Sequence, residues 1–180
     1  NERLQETMDS LERLATRDSL TGLWNRRSIL ELLQRELARS RRERHALAAV
    51  MLDIDHFKPI NDRIGHLAGD EVLREVTRRV AATLRAADVF GRLGGEEFLV
   101  ILSPGDRQTA LEVMERARVA CGSAPIEIDH QSLEVTISLG AAVVEPGRGS
   151  DPSDVLRSAD RALYRAKESG RNRSELEVLS

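Results

Sequence analysis

Apolar residues along this chain follow two patterns, helical spacing and short continuous runs. Within residues 1–17, Leu4, Met8, Leu11 and Ala15 are spaced four, three and four apart among charged residues. That spacing predicts a helix bearing the end of a coiled-coil seam. Residues 18–25 (DSLTGLWN) read as a polar turn around Gly22, and Ile29, Leu33 and Leu37 then mark one face of a helix over 26–44. Residues 47–54 (LAAVMLDI) form an unbroken apolar run ending in carboxylates, as expected of a strand buried on both faces. After a loop, Leu73, Val76, Val80 and Leu84 predict a helix over 67–86. Val89–Leu93 and Phe98–Leu102 are the arms of a hairpin with GGEE at its turn. A helix over 106–121 and strands near 125–129 and 133–144 come next. The following helix starts at Asp151-Pro152-Ser153-Asp154, with proline in its first turn and acid near its N-terminus, and stops at Gly170. SELEVLS at the C-terminus alternates weakly and fits an edge strand.

From residue 47 the elements run β-α-β-β-α-(hairpin)-α-β, and the first six fit a ferredoxin-like, palm-type α+β fold. Its central sheet contains antiparallel strands and is flanked by helices, and the coiled-coil-like helix precedes it. A length of 180 residues is that of one domain with an added segment. The expected division is a helical signalling linker over 1–17 and one globular domain over 18–180, with no repeat or internal linker.

Charge and cysteine content narrow the partners. A net charge of −3 and a pI of 5.9 argue against nucleic acid or an anionic membrane surface as a general partner. A single cysteine, Cys121, cannot form an internal disulfide, so a reducing, cytoplasmic setting is expected. No run approaches the ~20 apolar residues of a membrane-spanning helix. The chain starts at Asn1 rather than Met and reads as a piece of a longer protein, with a sensory or receiver domain expected upstream.

The candidate chemistry is carboxylate-based. Asp53 and Asp55 close the buried strand, Glu96 and Glu97 lie in the hairpin turn, and a hairpin beside that strand would bring the two acidic groups together. Oxygen-only donors suit Mg²⁺ or Mn²⁺. The four histidines and one cysteine show no zinc spacing. Carboxylates on adjacent strand ends can hold metal ions across a phosphoryl transfer, although capping a strand would explain either aspartate alone. Gly94-Gly95 permits a tight turn, or the passage of a phosphate or base over a surface without Cβ atoms. Lys58 follows a possible cradle of backbone N–H groups. Asn61 and Asp70 offer an amide and a carboxylate; a carboxylate can accept from the N1–H and N2–H₂ edge of guanine, but helix capping accounts for both residues equally well. Lys167 and Arg171 flank Gly170, where cations suit a helix C-terminus. Yet of 27 cationic side chains only Lys58 and Lys167 are lysine, each beside a candidate phosphate position where a compact donor fits.

GGEEF (94–98) resembles the signature of GGDEF-domain diguanylate cyclases, and four further segments resemble blocks of that family in order. They are DSLTGLWNRR (18–27), DIDHFKPINDRIGHLAGDEVL (53–73), TISLGAA (136–142) and ADRALYRAKESGRNR (159–173). The resemblance implies a cyclase that condenses two GTP into cyclic di-GMP and two pyrophosphates as a two-fold dimer. It implies that Asp53 and Glu96, with the Ile54 carbonyl, ligate Mg²⁺ or Mn²⁺, and that Glu97 assists at the metal or takes the proton of the attacking 3′-hydroxyl. Asn61 and Asp70 would read guanine. Lys58, Lys167 and Arg171, with the backbone N–H groups of His56 and Phe57, would hold the β and γ phosphates, and Gly94 and Gly95 would let the nucleotide cross the hairpin. Arg85-Ala-Ala-Asp88 stands six residues before Gly94, where the family carries a product-inhibition site; Arg116 matches a secondary arginine of that site. Glutamate at the third signature position and Pro59 after Lys58 are the main departures. Loss of Asp53, Glu96 or Lys167 would have favoured the alternative of a non-catalytic GTP- or cyclic di-GMP-binding module. Asp70 argues against relaxed nucleotide choice, and a purely structural coiled-coil domain leaves the acidic groups without a purpose.

Overall fold

A computed structural model describes the backbone of residues 2–180 and their side chains, except those of Glu2, Leu4, Gln5, Glu6, Asp9, Ser10 and Leu11. The elements are α1 (Glu2–Thr16), α2 (Arg26–Glu43), β1 (Leu47–Ile54), α3 (Phe57–Ile64), α4 (His66–Ala81), β2 (Val89–Gly94), β3 (Glu97–Leu102), α5 (Arg107–Gly122), β4 (Ile126–Ile128), β5 (Gln131–Leu133), β6 (Ile137–Val144), α6 (Pro152–Glu168) and β7 (Ser174–Leu179). The side chains of Leu4 and Leu11 of the coiled-coil seam lie outside those described; of its other members, Met8 is 57% exposed.

The main sheet has the order β2-β3-β1-β6-β7. β1 runs antiparallel to both β3 and β6, β2 antiparallel to β3, and β7 parallel to β6. The first four strands in that order form a ferredoxin-like arrangement; β7 extends it by a crossover through α6. Every residue of β1 is buried because both of its faces are covered. Ala48, Val50, Leu52 and Ile54 pack with Val72 and Val76 of α4 and with Val113 and Met114 of α5. Leu47, Ala49 and Met51 pack with Ile29 and Leu33 of α2 and with Val155, Ala159 and Leu163 of α6. Cys121 belongs to the first of these cores, and burial pushes its thiol up to about 12.

Three sequence readings shift. The loop expected after β1 contains α3, whose Phe57, Ile60 and Ile64 face the core; α4 ends at Ala81, short of residue 86. The strand expected over 133–144 is two. Gln131–Leu133 pairs only with Ile126–Ile128 in a separate two-stranded sheet, while Ile137–Val144 lies beside β1. The break falls where Thr136 turns inward, its carbonyl accepting from the Asp55 N–H at 2.9 Å.

The seating of α6 fixes one end of the site. Small buried residues, Ala159, Ala162 and Ala166, let it approach the sheet closely. A Cβ on Gly140 of β6 would stand 2.0 Å from the Leu163 nitrogen and 2.5 Å from the Ala159 oxygen. Because backbone must move to admit it, Gly140→Ala is expected to cost about 2 kcal/mol or more, read as a lower urea midpoint at unchanged slope.

Candidate active site

The carboxylates meet at one end of the sheet, as the hairpin reading requires. Asp53, the penultimate residue of β1, is paired in register with Glu97 on β3 and Ser138 on β6. Residues opposite one another on neighbouring strands share a face. Met51 and Leu99, two steps back, pack on the α2–α6 side, so Asp53 and Glu97 face that side too. Asp53 is 6% exposed, and its Oδ2 lies 2.9 Å from the Lys167 ammonium of α6. Burial raises the Asp53 carboxyl to about 6; Lys167 pulls against this, and the charges of Glu96 and Glu97 add to it.

Asp55 plays a different part. Its carboxylate accepts from Thr136 Oγ1 (2.7 Å), Ser138 Oγ (2.7 Å) and the Asn172 backbone N–H (3.0 Å). It therefore ties the end of β1 to β6 and to the segment after α6. Arg171 and Asn172 there adopt positive φ (62° and 45°). Arg171 donates its N–H to the Ala166 carbonyl at 3.0 Å, ending α6 with Lys167 turned to Asp53 and Arg171 exposed.

The loop after β1 turns sharply. His56, at φ 55°, leads into α3, and the first-turn N–H groups of this helix begin at Phe57 and Lys58. Lys58 is exposed. Gly65 (φ 87°) joins α3 and α4 directly, which sets Asn61 near the end of α3 against Gly69, the chain neighbour of Asp70 on α4. The Asn61 Oδ1 is buried with no hydrogen-bond partner. Gly69 leaves room for it, since a Cβ there would lie 1.7 Å from that oxygen. Gly94 (φ 147°) and Gly95 (φ 52°) form an exposed turn with open space above both. Arg92 holds the turn, donating to the Gly95 carbonyl at 3.0 and 2.7 Å and pairing with Asp18 at 3.2 Å.

Sequence reasoning gave no role to Gly69, Arg92, Asp18, Thr136 or Ser138. A glycine inside a helix does signal a packing reason, and Gly69 carries that signal. The others depend on contacts between distant parts of the chain.

At the far end of β2, Asp88 Oδ2 accepts from the Arg85 N–H at 2.8 Å, closing the turn. Arg116 on α5 donates to the Thr83 carbonyl at 2.9 and 2.6 Å, which brings it beside that turn. The arginines are exposed, and β2 separates them from Gly94 by about 20 Å at strand rise.

Among the described residues no three carboxylate, imidazole or thiol side chains are grouped so as to hold a metal ion. Asp53, with the charges of Glu96 and Glu97 acting on it, offers oxygen donors only, which suit a hard cation that draws further oxygen ligands from outside the protein. In this arrangement the Lys167 ammonium balances the Asp53 charge.

The profile of the family described as "Diguanylate cyclase, GGDEF domain" matches residues 15–173. The chain is 42% identical over 162 residues to the diguanylate cyclase DgcP of Pseudomonas aeruginosa, covering 90% of this chain and 24% of that protein. It is likewise 42% identical over 171 residues to the response regulator PleD of Caulobacter vibrioides, covering 94% and 37%. The chain thus spans well under half the length of these relatives. Its fold is similar to the coiled coil and GGDEF domain of DgcB from Caulobacter crescentus, solved in complex with c-di-GMP, with a TM-score of 0.89 and 32% identity over 98% of this chain and 93% of that one.

Proposed function

Since the chain belongs to the GGDEF family of diguanylate cyclase domains, we propose that it condenses two GTP molecules into cyclic di-GMP with release of two pyrophosphates. The observation that carries this reading is the meeting of Asp53, Glu97 and Lys167 at one sheet end, beside a glycine turn with open space above it. Asp53, Glu96 and the Ile54 carbonyl would hold Mg²⁺ or Mn²⁺. When bound, that ion supplies polarisation of the α-phosphate and countercharge for the departing pyrophosphate. Lys167, Lys58 and Arg171 neutralise the β and γ phosphates together with the His56 and Phe57 N–H groups. Glu97 accepts the proton of the attacking 3′-hydroxyl or completes the oxygen shell of the ion. Asn61 and Asp70 orient guanine.

One chain holds one GTP and half of a two-fold reaction, so turnover requires a second chain facing it. Residues 1–17 would act as the linker through which an upstream domain sets that encounter, and residues 18–180 as the catalytic domain. Product bound at Arg85, Asp88 and Arg116 would hold the domains apart, with arginine suited to the O6 and N7 edge of guanine.

Incubation with GTP and Mg²⁺ over a range of chain concentrations tests this. Cyclic di-GMP is expected by chromatography, with the rate per chain rising with concentration; GTP bound but intact would overturn the cyclase reading. For the guanine site, Gly69→Ala is expected to weaken binding of a non-reactive GTP analogue about tenfold or more by displacing the Asn61 amide, an effect readable by calorimetry.

A further inference from the structure

Resting on the cyclase reading, we propose that Tyr164 seats the attacking nucleoside, its ring stacked on the GTP that a second copy of this chain brings to Glu97. The two faces of the sheet divide the work. Asn61 and Asp70 stand on α3 and α4, whereas Asp53 and Glu97 face α6. A nucleotide read by Asn61 and Asp70 reaches Asp53 and Lys167 across the strand end from the α3–α4 side. The α6 side of Glu97 stays open, and a cavity of about 350 Å³ lies there, bounded by Glu97, Lys167, Tyr164 and Asp160. That volume falls in the range of small-ligand pockets.

The chemistry of the wall suits a nucleoside. Asp160, Tyr164 and Lys167 are spaced four and three apart and therefore share one face of α6, with Lys167 at the inner end on Asp53. Tyr164 is the only tyrosine of the chain and is 62% exposed, whereas Phe57, Phe90 and Phe98 are all buried. Core packing does not account for its position. The neighbouring Arg161 and Arg165 are occupied by Glu177, at 2.6 and 3.2 Å. Asp160 has no ion pair among the described residues, which leaves an aromatic face and a free acceptor side by side. Nucleosides present a π-face together with N–H and O–H donors, so both groups are matched. A nucleoside entering by this cavity arrives beside Glu97 from outside the chain's own guanine site, as the partner's 3′-hydroxyl must.

The test compares wild type, Tyr164→Ala and Tyr164→Phe in turnover at saturating GTP, in affinity of dilute chain for an α,β-methylene GTP analogue, and in melting temperature. Stacking on one base predicts that Tyr164→Ala loses turnover roughly tenfold or more, that Tyr164→Phe restores it, and that analogue affinity and melting stay at the wild-type values. A Tyr164→Ala rate within twofold of wild type overturns the proposal. So does a matching loss of analogue affinity in dilute chain, which would put Tyr164 at the chain's own GTP, or a parallel fall in melting temperature. A wild type that makes no cyclic di-GMP overturns the cyclase reading itself, and this inference falls with it.

Discussion

Asp53→Asn is expected to lower cyclic di-GMP formation at least a thousandfold, about 4 kcal/mol of transition-state stabilisation, while the fold stands. The amide keeps the shape of the carboxylate but loses the charge that would draw a divalent cation between β1 and the hairpin turn. Stability separates this from simple unfolding. The carboxyl of Asp53 is raised from 3.8 to about 6, so between those values the folded chain binds more protons than the unfolded one. Wild-type stability should therefore fall as pH rises from 4 to 6, by up to about 3 kcal/mol. The asparagine variant escapes that loss. In chelator at pH 7 it should melt no lower than wild type, and the difference between them should shrink towards pH 4. A variant that melts well below wild type at pH 7 would show that the Lys167 pair, rather than the burial of charge, governs this corner.

Asp55→Ala should do the reverse, striking stability first. Three donors converge on this buried carboxylate, and truncation leaves all three without a partner. Hydrogen bonds to a charged group are worth about 1.5–3 kcal/mol each, and orphaned buried donors add their own cost, so a loss on the order of 4 kcal/mol or more is expected in urea unfolding. Because the Asn172 N–H is one of the three, the end of α6 loosens as well. Lys167 then loses its aim at Asp53, and turnover should fall even in the fraction that stays folded.

These two aspartates mark the limit of what the sequence made legible. Both close the same apolar run, and both were candidate ligands. Only Thr136 and Ser138, 81 and 83 residues beyond Asp55 around the start of β6, separate a charge held by hydroxyls from one paired with Lys167. The long buried strand, the hairpin with its glycine turn and the α6 boundaries were readable because each rests on local pattern. The α3 helix was missed although Phe57, Ile60 and Ile64 have helical spacing, because eight residues with a proline near the start give the pattern little length. The break before β6 was invisible for a different reason. Leu133, Val135, Ile137 and Leu139 alternate without a flaw and all reach one core, so nothing in their order shows that the chain changes sheets among them.

The borders of the sheet limit where a further strand could pair. β2 is not bare: the Arg92 N–H donates to the Trp24 carbonyl at 2.8 Å and the Trp24 N–H to the Phe90 carbonyl at 3.3 Å, so the turn before α2 closes that border. At the other border, Glu177 of β7 is taken up by Arg161 and Arg165, and Glu175 is the charge that a second β7 laid alongside would meet. Lateral growth into a continuous ribbon is thereby discouraged on both flanks. What stays accessible is the loop end with the glycine turn, so the second copy that the proposed reaction needs would meet that end rather than a sheet border.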